Sequence, residues 1–168
     1  MMDKSLSPAC GQGPRRLLVI DDESNMRHML AAMLKNSGYS VDTAAEGLEG
    51  MKMLERSSYD FILCDIKMPK MDGMTFLKTA GDLVEHSTVI MMSAYGTVET
   101  AIEAMKLGAY DYISKPFKSD EVTLTLKKAE ERERLKKENS FLRERIRNIQ
   151  ADNRFDRMVG QSKAMQAV

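Results

Sequence analysis

The chain contains no tryptophan, and aromatic residues make up only 6% of its 168 positions. Its core must therefore be filled by aliphatic side chains and by a generous supply of methionine, 15 residues, whose flexible thioethers fit irregular gaps. Only two cysteines occur, Cys10 and Cys64, which excludes a disulfide framework and points to a reduced, cytoplasmic setting. His28 and His86 share no motif with each other or with the cysteines, so they are expected as surface polar residues, not metal ligands. No apolar run approaches the roughly 20 residues that cross a bilayer. The opening MMDKSLSPACGQGPRR lacks the apolar centre of a signal peptide, so no membrane partner is expected. Basic and acidic residues balance at 25 each, which excludes a whole-chain nucleic-acid footprint. A G-x-x-x-x-G-K-[ST] phosphate loop and a helix-turn-helix are both absent, so this chain is not expected to hydrolyse ATP by that route or to bind DNA directly.

What is present is an alternation. LLVI, YSVDTA, FILC, TVIMMSA and AYDYIS are short apolar runs of strand character, separated by amphipathic stretches of helical period. The first helix carries Met26, Met29, Leu30, Met33 and Leu34 on one stripe and is closed by Gly38. The second is expected over residues 46–56, the third over MTFLKTA and the fourth over VETAIEAMKLG. Ser119, followed by Asp120 and Glu121, opens the last. Strands alternating with helices predict a parallel α/β sheet covered on both faces. Ligands of such sheets bind outside the carboxyl ends of the strands.

Those ends carry unusual chemistry. The first strand runs into Asp21 and Asp22, the third into Asp65, the fourth into Ser93, and the fifth into Ser114, Lys115 and Pro116. Each alone has an ordinary use: an acidic pair complements a helix dipole, Ser93 caps a turn, and Lys115 is a solvated loop charge. Together on one sheet edge, three carboxylates repel unless a hard divalent cation such as Mg²⁺ sits among them. A carboxylate so placed can act as a nucleophile toward phosphorus, with Lys115 and Ser93 stabilising the phosphoryl oxygens.

The motifs VIDDE, DIKMPKMDG, MMSA and DYISKPF, in this order, resemble those of the receiver domain of two-component response regulators. The resemblance implies a flavodoxin-like (βα)₅ sheet of strand order 2-1-3-4-5 over residues 15–129, after a disordered tail at 1–14. It implies Asp65 as phosphoacceptor from a sensor histidine kinase. Mg²⁺ is then held by Asp22, Asp65 and the Lys67 backbone carbonyl, with Asp21 acting through water. Tyr112 matches the aromatic switch position, which turns inward when Ser93 moves toward the phosphoryl group. Lys67 and Tyr95, two residues beyond Asp65 and Ser93, are expected to flank the path of the hydrolytic water.

Beyond the receiver the helix changes style. Leu135, Leu142 and Ile149 recur every seven residues, with Asn139 and Ile146 between them. That pattern predicts a parallel coiled-coil homodimer over residues 130–152, with a buried Asn setting register. Glu131 and Glu138 fall where they complement Lys136 and Arg143 of a second chain. A solitary solvated helix with pairs such as Glu130–Arg134 and Glu133–Lys137 is the other reading. MVGQSKAMQAV, within 153–168, resembles the start of the central AAA+ ATPase domain of NtrC-type sigma-54-dependent activators. SAYGTVETAIEAMKLGAYDYISKPF resembles the receivers of that group. The implied parent is a transcription activator that contacts DNA and sigma-54 RNA polymerase, with this chain as its regulatory part.

Three other functions have weaker support. A haloacid-dehalogenase-type phosphatase needs a second acid two residues after its nucleophile, where this chain has Lys67. A flavin mononucleotide site needs a phosphate loop where DDES would repel phosphate. A purely structural dimerisation module has no use for Asp21, Asp22, Asp65, Ser93 and Lys115 as a set.

Overall fold

A computed structural model describes residues 13–165, with side chains as far as position 160. Most of the expected tail, including Cys10, and the last three residues lie outside the described residues. The elements are β1 (Arg16–Ile20), α1 (Ser24–Asn36), β2 (Ser40–Ala44), α2 (Gly47–Arg56), β3 (Phe61–Asp65), α3 (Gly73–Ala80), β4 (Thr88–Ser93), α4 (Val98–Lys106), β5 (Asp111–Ser114) and α5 (Ser119–Met165). A 3-10 turn at Gly81–Val84, which the apolar pattern does not foretell, follows α3.

All strand pairings are parallel and the order is β2-β1-β3-β4-β5, as the receiver resemblance implies. β3 is buried along its whole length, FILCD, because helices cover both faces of a parallel sheet. The order in which strands are added reverses at β1, whose neighbours are β2 and β3. The crevice this leaves outside the carboxyl ends of β1 and β3 is where such sheets bind ligands.

The helices settle on the sheet through narrow faces. In α1, Leu30 and Leu34 are buried, but Met29 is half exposed. At about 100° per residue, Met29 points well to the side of the line through Leu30 and Leu34, so the apolar stripe is wider than the face that packs. α2 comes close to β1 because Gly50 has no side chain; a Cβ there would stand 2.6 Å from Ile20 Cδ1. α3 begins where the Asp72 carboxylate accepts a 2.7 Å bond from the Thr75 N–H. This cap holds Asp72 below the usual carboxylate range, chiefly through that backbone bond. α3 buries Phe76, Leu77 and Ala80. Truncating a fully buried phenylalanine such as Phe76 to alanine costs about 3–5 kcal/mol.

The chain divides into two compact units, with the division after Leu126. The first holds the sheet and its helices. The second is helical, and α5 runs through it to Met165. Within this unit Leu135, Leu142, Ile146 and Ile149 are each about half exposed. Arg134 pairs with Glu131 at 2.6 Å and Glu138 at 3.5 Å, both along its own helix. Such exposed pairs add little to a helix, because water and salt screen them.

Candidate functional site

The sheet edge gathers the expected residues. Asp21 directly follows β1 and is fully buried; Asp65 ends β3 and is almost fully buried; Ser93 ends β4. Lys115 follows β5, and its peptide bond to Pro116 is cis. The lysine Nζ lies 2.7 Å from Asp21 Oδ2 and 3.3 Å from Asp65 Oδ2, so one ammonium ties the ends of β1 and β3. Asp22 is exposed.

The other oxygen of Asp21 accepts a 2.9 Å bond from the Glu23 N–H, while the Asp21 carbonyl accepts from the Arg27 guanidinium at 2.7 Å. Asp65 Oδ1 accepts a long, 3.4 Å bond from the Lys67 N–H. The Ser93 hydroxyl accepts from the Tyr95 N–H at 3.2 Å. The Lys67 ammonium lies 5.2 Å from the centre of the Tyr95 ring, a cation–π distance, beside the crevice. Tyr112 is half buried, its hydroxyl shielded and without a hydrogen-bond partner among the described residues.

Electrostatics follow from burial. Desolvation pushes the Asp65 carboxyl up, against the opposing pull of the Lys115 charge. Burial also acts to lower Lys115, but the bond to Asp21 and the charges of Asp21 and Asp65 outweigh it, and the ammonium is held above its ordinary value. The neighbouring Cys64 thiol is fully buried and pushed well up, chiefly by desolvation and then by Asp65; it is an inert part of the core.

Oxygens of Asp21, Asp22 and Asp65 can all lie within 4.8 Å of one another. Three carboxylates against one ammonium leave a formal charge of −2 at this edge, which a divalent cation matches. The donors are all hard oxygens, the set that suits Mg²⁺. The site's residues therefore fit such an ion.

Gly73 lets the loop after β3 close. A Cβ there would overlap the Asp65 carbonyl oxygen and stand 2.8 Å from Ile66 Cα, while the Gly73 N–H donates to the Ile66 carbonyl at 2.8 Å. Three contributors escaped the sequence analysis. Arg27 carries no local signal, since its target is a backbone carbonyl six residues back. Lys70, at φ 67°, ties the same loop to Glu46 at 2.9 Å. Gly96 was visible only as the glycine of SAYG.

A parallel sheet of this order, with an acidic and lysine-bridged crevice at the ends of β1 and β3, defines the receiver class of α/β domain. The chain belongs to the response regulator receiver domain family, which matches residues 17–127. It is 37% identical over 131 residues to the regulatory protein AtoC of Escherichia coli K12, covering 78% of this chain and 28% of that protein. It is 40% identical over 113 residues to the transcriptional regulatory protein ZraR of the same organism, covering 67% of this chain and 26% of that one. The receiver domain of NtrX from Brucella abortus has the same fold, with a TM-score of 0.64 at 31% identity, over 67% of this chain and 96% of that one. The chain thus spans little more than a quarter of the length of the curated relatives it matches.

Proposed function

We propose that this chain is the cytoplasmic, phosphorylation-dependent regulatory part of a sigma-54-dependent transcription activator, with Asp65 accepting a phosphoryl group from the phosphohistidine of a sensor kinase. The observation that carries this reading is the double contact of Lys115, with Asp21 at 2.7 Å and Asp65 at 3.3 Å, at the crevice of the sheet. The Asp65 carboxylate attacks phosphorus, the P–N bond breaks, and the departing imidazole keeps the electron pair and takes up a proton. Lys115 then balances the charge of the acyl phosphate, and Ser93 turns its hydroxyl from the Tyr95 N–H toward the new oxygens. Asp22, Asp65 and the Lys67 carbonyl would hold Mg²⁺, which would supply charge neutralisation at phosphorus. Asp21, bonded to the Glu23 N–H and Lys115, would act on the ion through water, as the receiver resemblance implies. Water later attacks phosphorus, releasing inorganic phosphate and restoring the carboxylate. The chain catalyses only these steps on itself.

The output is a change in a homodimer joined through Leu135, Asn139, Leu142, Ile146 and Ile149. The half-exposed stripe of Leu135, Leu142, Ile146 and Ile149 supports such a pairing. Residues 153–168 are then the start of a central ATPase domain, the part of the activator that contacts polymerase. The relationship to AtoC and ZraR, both named as regulatory proteins, supports this parentage.

Sedimentation velocity of the chain with Mg²⁺, with and without beryllofluoride, tests the reading. The expected result is a dimer whose mass or shape changes on adding the phosphoryl mimic. A monomer throughout removes the dimeric output. A dimer that binds the mimic without responding removes the coupling.

A further inference from the structure

The loop between β4 and α4 is pinned at both ends. At its start, the Ser93 hydroxyl holds the Tyr95 N–H at 3.2 Å. At its end, Thr97 caps α4 by accepting from the Thr100 N–H at 3.3 Å. Between them stands Gly96. Glycine is usually required where the backbone is left-handed, yet Gly96 is not among the residues at positive φ. An L side chain would suit its backbone. What forbids one is a neighbour: a Cβ at position 96 would overlap the hydroxyl and Cζ of Tyr112 and stand 3.1 Å from Cε1. The missing side chain is thus the space that the tip of Tyr112 occupies.

An overlap with ring atoms cannot be relieved by a shift of a few tenths of an ångström, and the loop is held on either side. The ring is the part that can leave, by rotation about its own side-chain torsion. Its hold on the inward position is weak, because its shielded hydroxyl has no partner among the described residues.

We propose that Gly96 is the size gate of the Tyr112 switch: the absence of a side chain at position 96 is what permits the inward ring, and the bulk there sets how often the ring is inward. Gly96 is a positioning residue, acting on the acceptor pocket only through Tyr112. This rests on the reading of Tyr112 as the switch side chain. It also separates the two tyrosines of the region. Tyr112 fills the gap above Gly96, while Tyr95, 82% exposed, stands outside it over Lys67.

The test uses the full chain labelled with 3-fluorotyrosine, the Tyr112 signal being assigned with Tyr112→Phe. Without any phosphoryl mimic, Gly96→Ala is expected to move that signal toward the shift of a solvent-exposed tyrosine. With Mg²⁺, beryllofluoride affinity is expected to fall about tenfold, the penalty of a depleted competent state. In a Tyr112→Ala background, the same Gly96→Ala change is expected to alter affinity by less than about twofold, since the clash has gone. An unmoved fluorine signal in a folded Gly96→Ala chain overturns the gate. So does an equal affinity loss in the Tyr112→Ala background. If Gly96→Ala alone unfolds while Gly96→Ala with Tyr112→Ala folds, the ring cannot leave, and the gate is again overturned. A wild-type chain that fails to bind beryllofluoride defeats the proposed acceptor function instead, and the mimic-free ring signal still decides the gate.

Discussion

Lys115 and Asp21 form an ion pair of 2.7 Å in which the carboxylate has no solvent exposure at all. The pair joins the end of β1 to the end of β5, two strands that do not touch in the sheet. Removing the lysine leaves a buried charge without its partner. Lys115→Ala is therefore expected to destabilise the fold by about 3–5 kcal/mol, measured by urea unfolding. Adding Asp21→Asn should recover part of that loss. Because the folded-state value of Lys115 is raised, its contribution is complete below the unfolded-state value. It fades only as pH rises through the raised folded one, in the alkaline range. A Lys115→Ala chain that melts like wild type at pH 7 removes this account.

Asp65 shifts in the same direction for a different reason. Its carboxyl is raised by burial, so the protonated form favours the fold, and that contribution is lost as pH rises through the raised folded-state value. At pH 7 without metal, Asp65→Asn is expected to raise the melting temperature. Mg²⁺ at a hundredfold excess over its Kd should stabilise wild type by about 2.7 kcal/mol and Asp65→Asn by much less. Equal stabilisation of both by Mg²⁺ places the ion elsewhere.

The Lys67–Tyr95 contact, at 5.2 Å, joins residues two positions beyond Asp65 and Ser93. A cation–π pair at an exposed site contributes about 0.5–1 kcal/mol, a factor of about two to five in a rate. Tyr95→Ala is expected to speed hydrolysis of the acyl phosphate by that factor, followed as phosphate release after loading with acetyl phosphate. An unchanged rate takes Tyr95 out of the water path.

In the helical unit, Leu142 and Ile146 are half exposed and flanked by charges. Leu142→Asp is expected to give a monomer in sedimentation, with the sheet domain's stability unchanged. Asn139→Leu is expected to tighten association while loosening register, because a buried asparagine specifies two parallel chains at some cost in stability. A Leu142→Asp dimer would locate the contact outside this stripe.

The α/β alternation was legible because each strand is a run such as LLVI or FILC, and each helix a stripe of period 3.6. Strand ends were legible for the same reason, so Asp21, Asp65, Ser93 and Lys115 could be assigned to one edge before any coordinates. Met29 was less legible. An apolar pattern tells that a residue can be buried, while the width of the packing face tells whether it is. The 3-10 turn after α3 has no period to betray it. Arg27 and Gly96 stayed hidden because each acts on a group fixed by the fold: a backbone carbonyl in one case, an aromatic ring sixteen residues on in the other.

The sequence by itself determined the order of elements, the burial of β3 and the residue types at the mouth of the sheet. These depend on local periodicity and on chemistry that a side chain carries wherever it goes. Only the tertiary structure decided that Lys115 reaches both Asp21 and Asp65, that Lys67 sits under Tyr95, and that the tip of Tyr112 stands where a side chain at position 96 would begin. Those are distances between segments far apart in the chain, set by how parallel strands cross over and pack, and no local pattern encodes them.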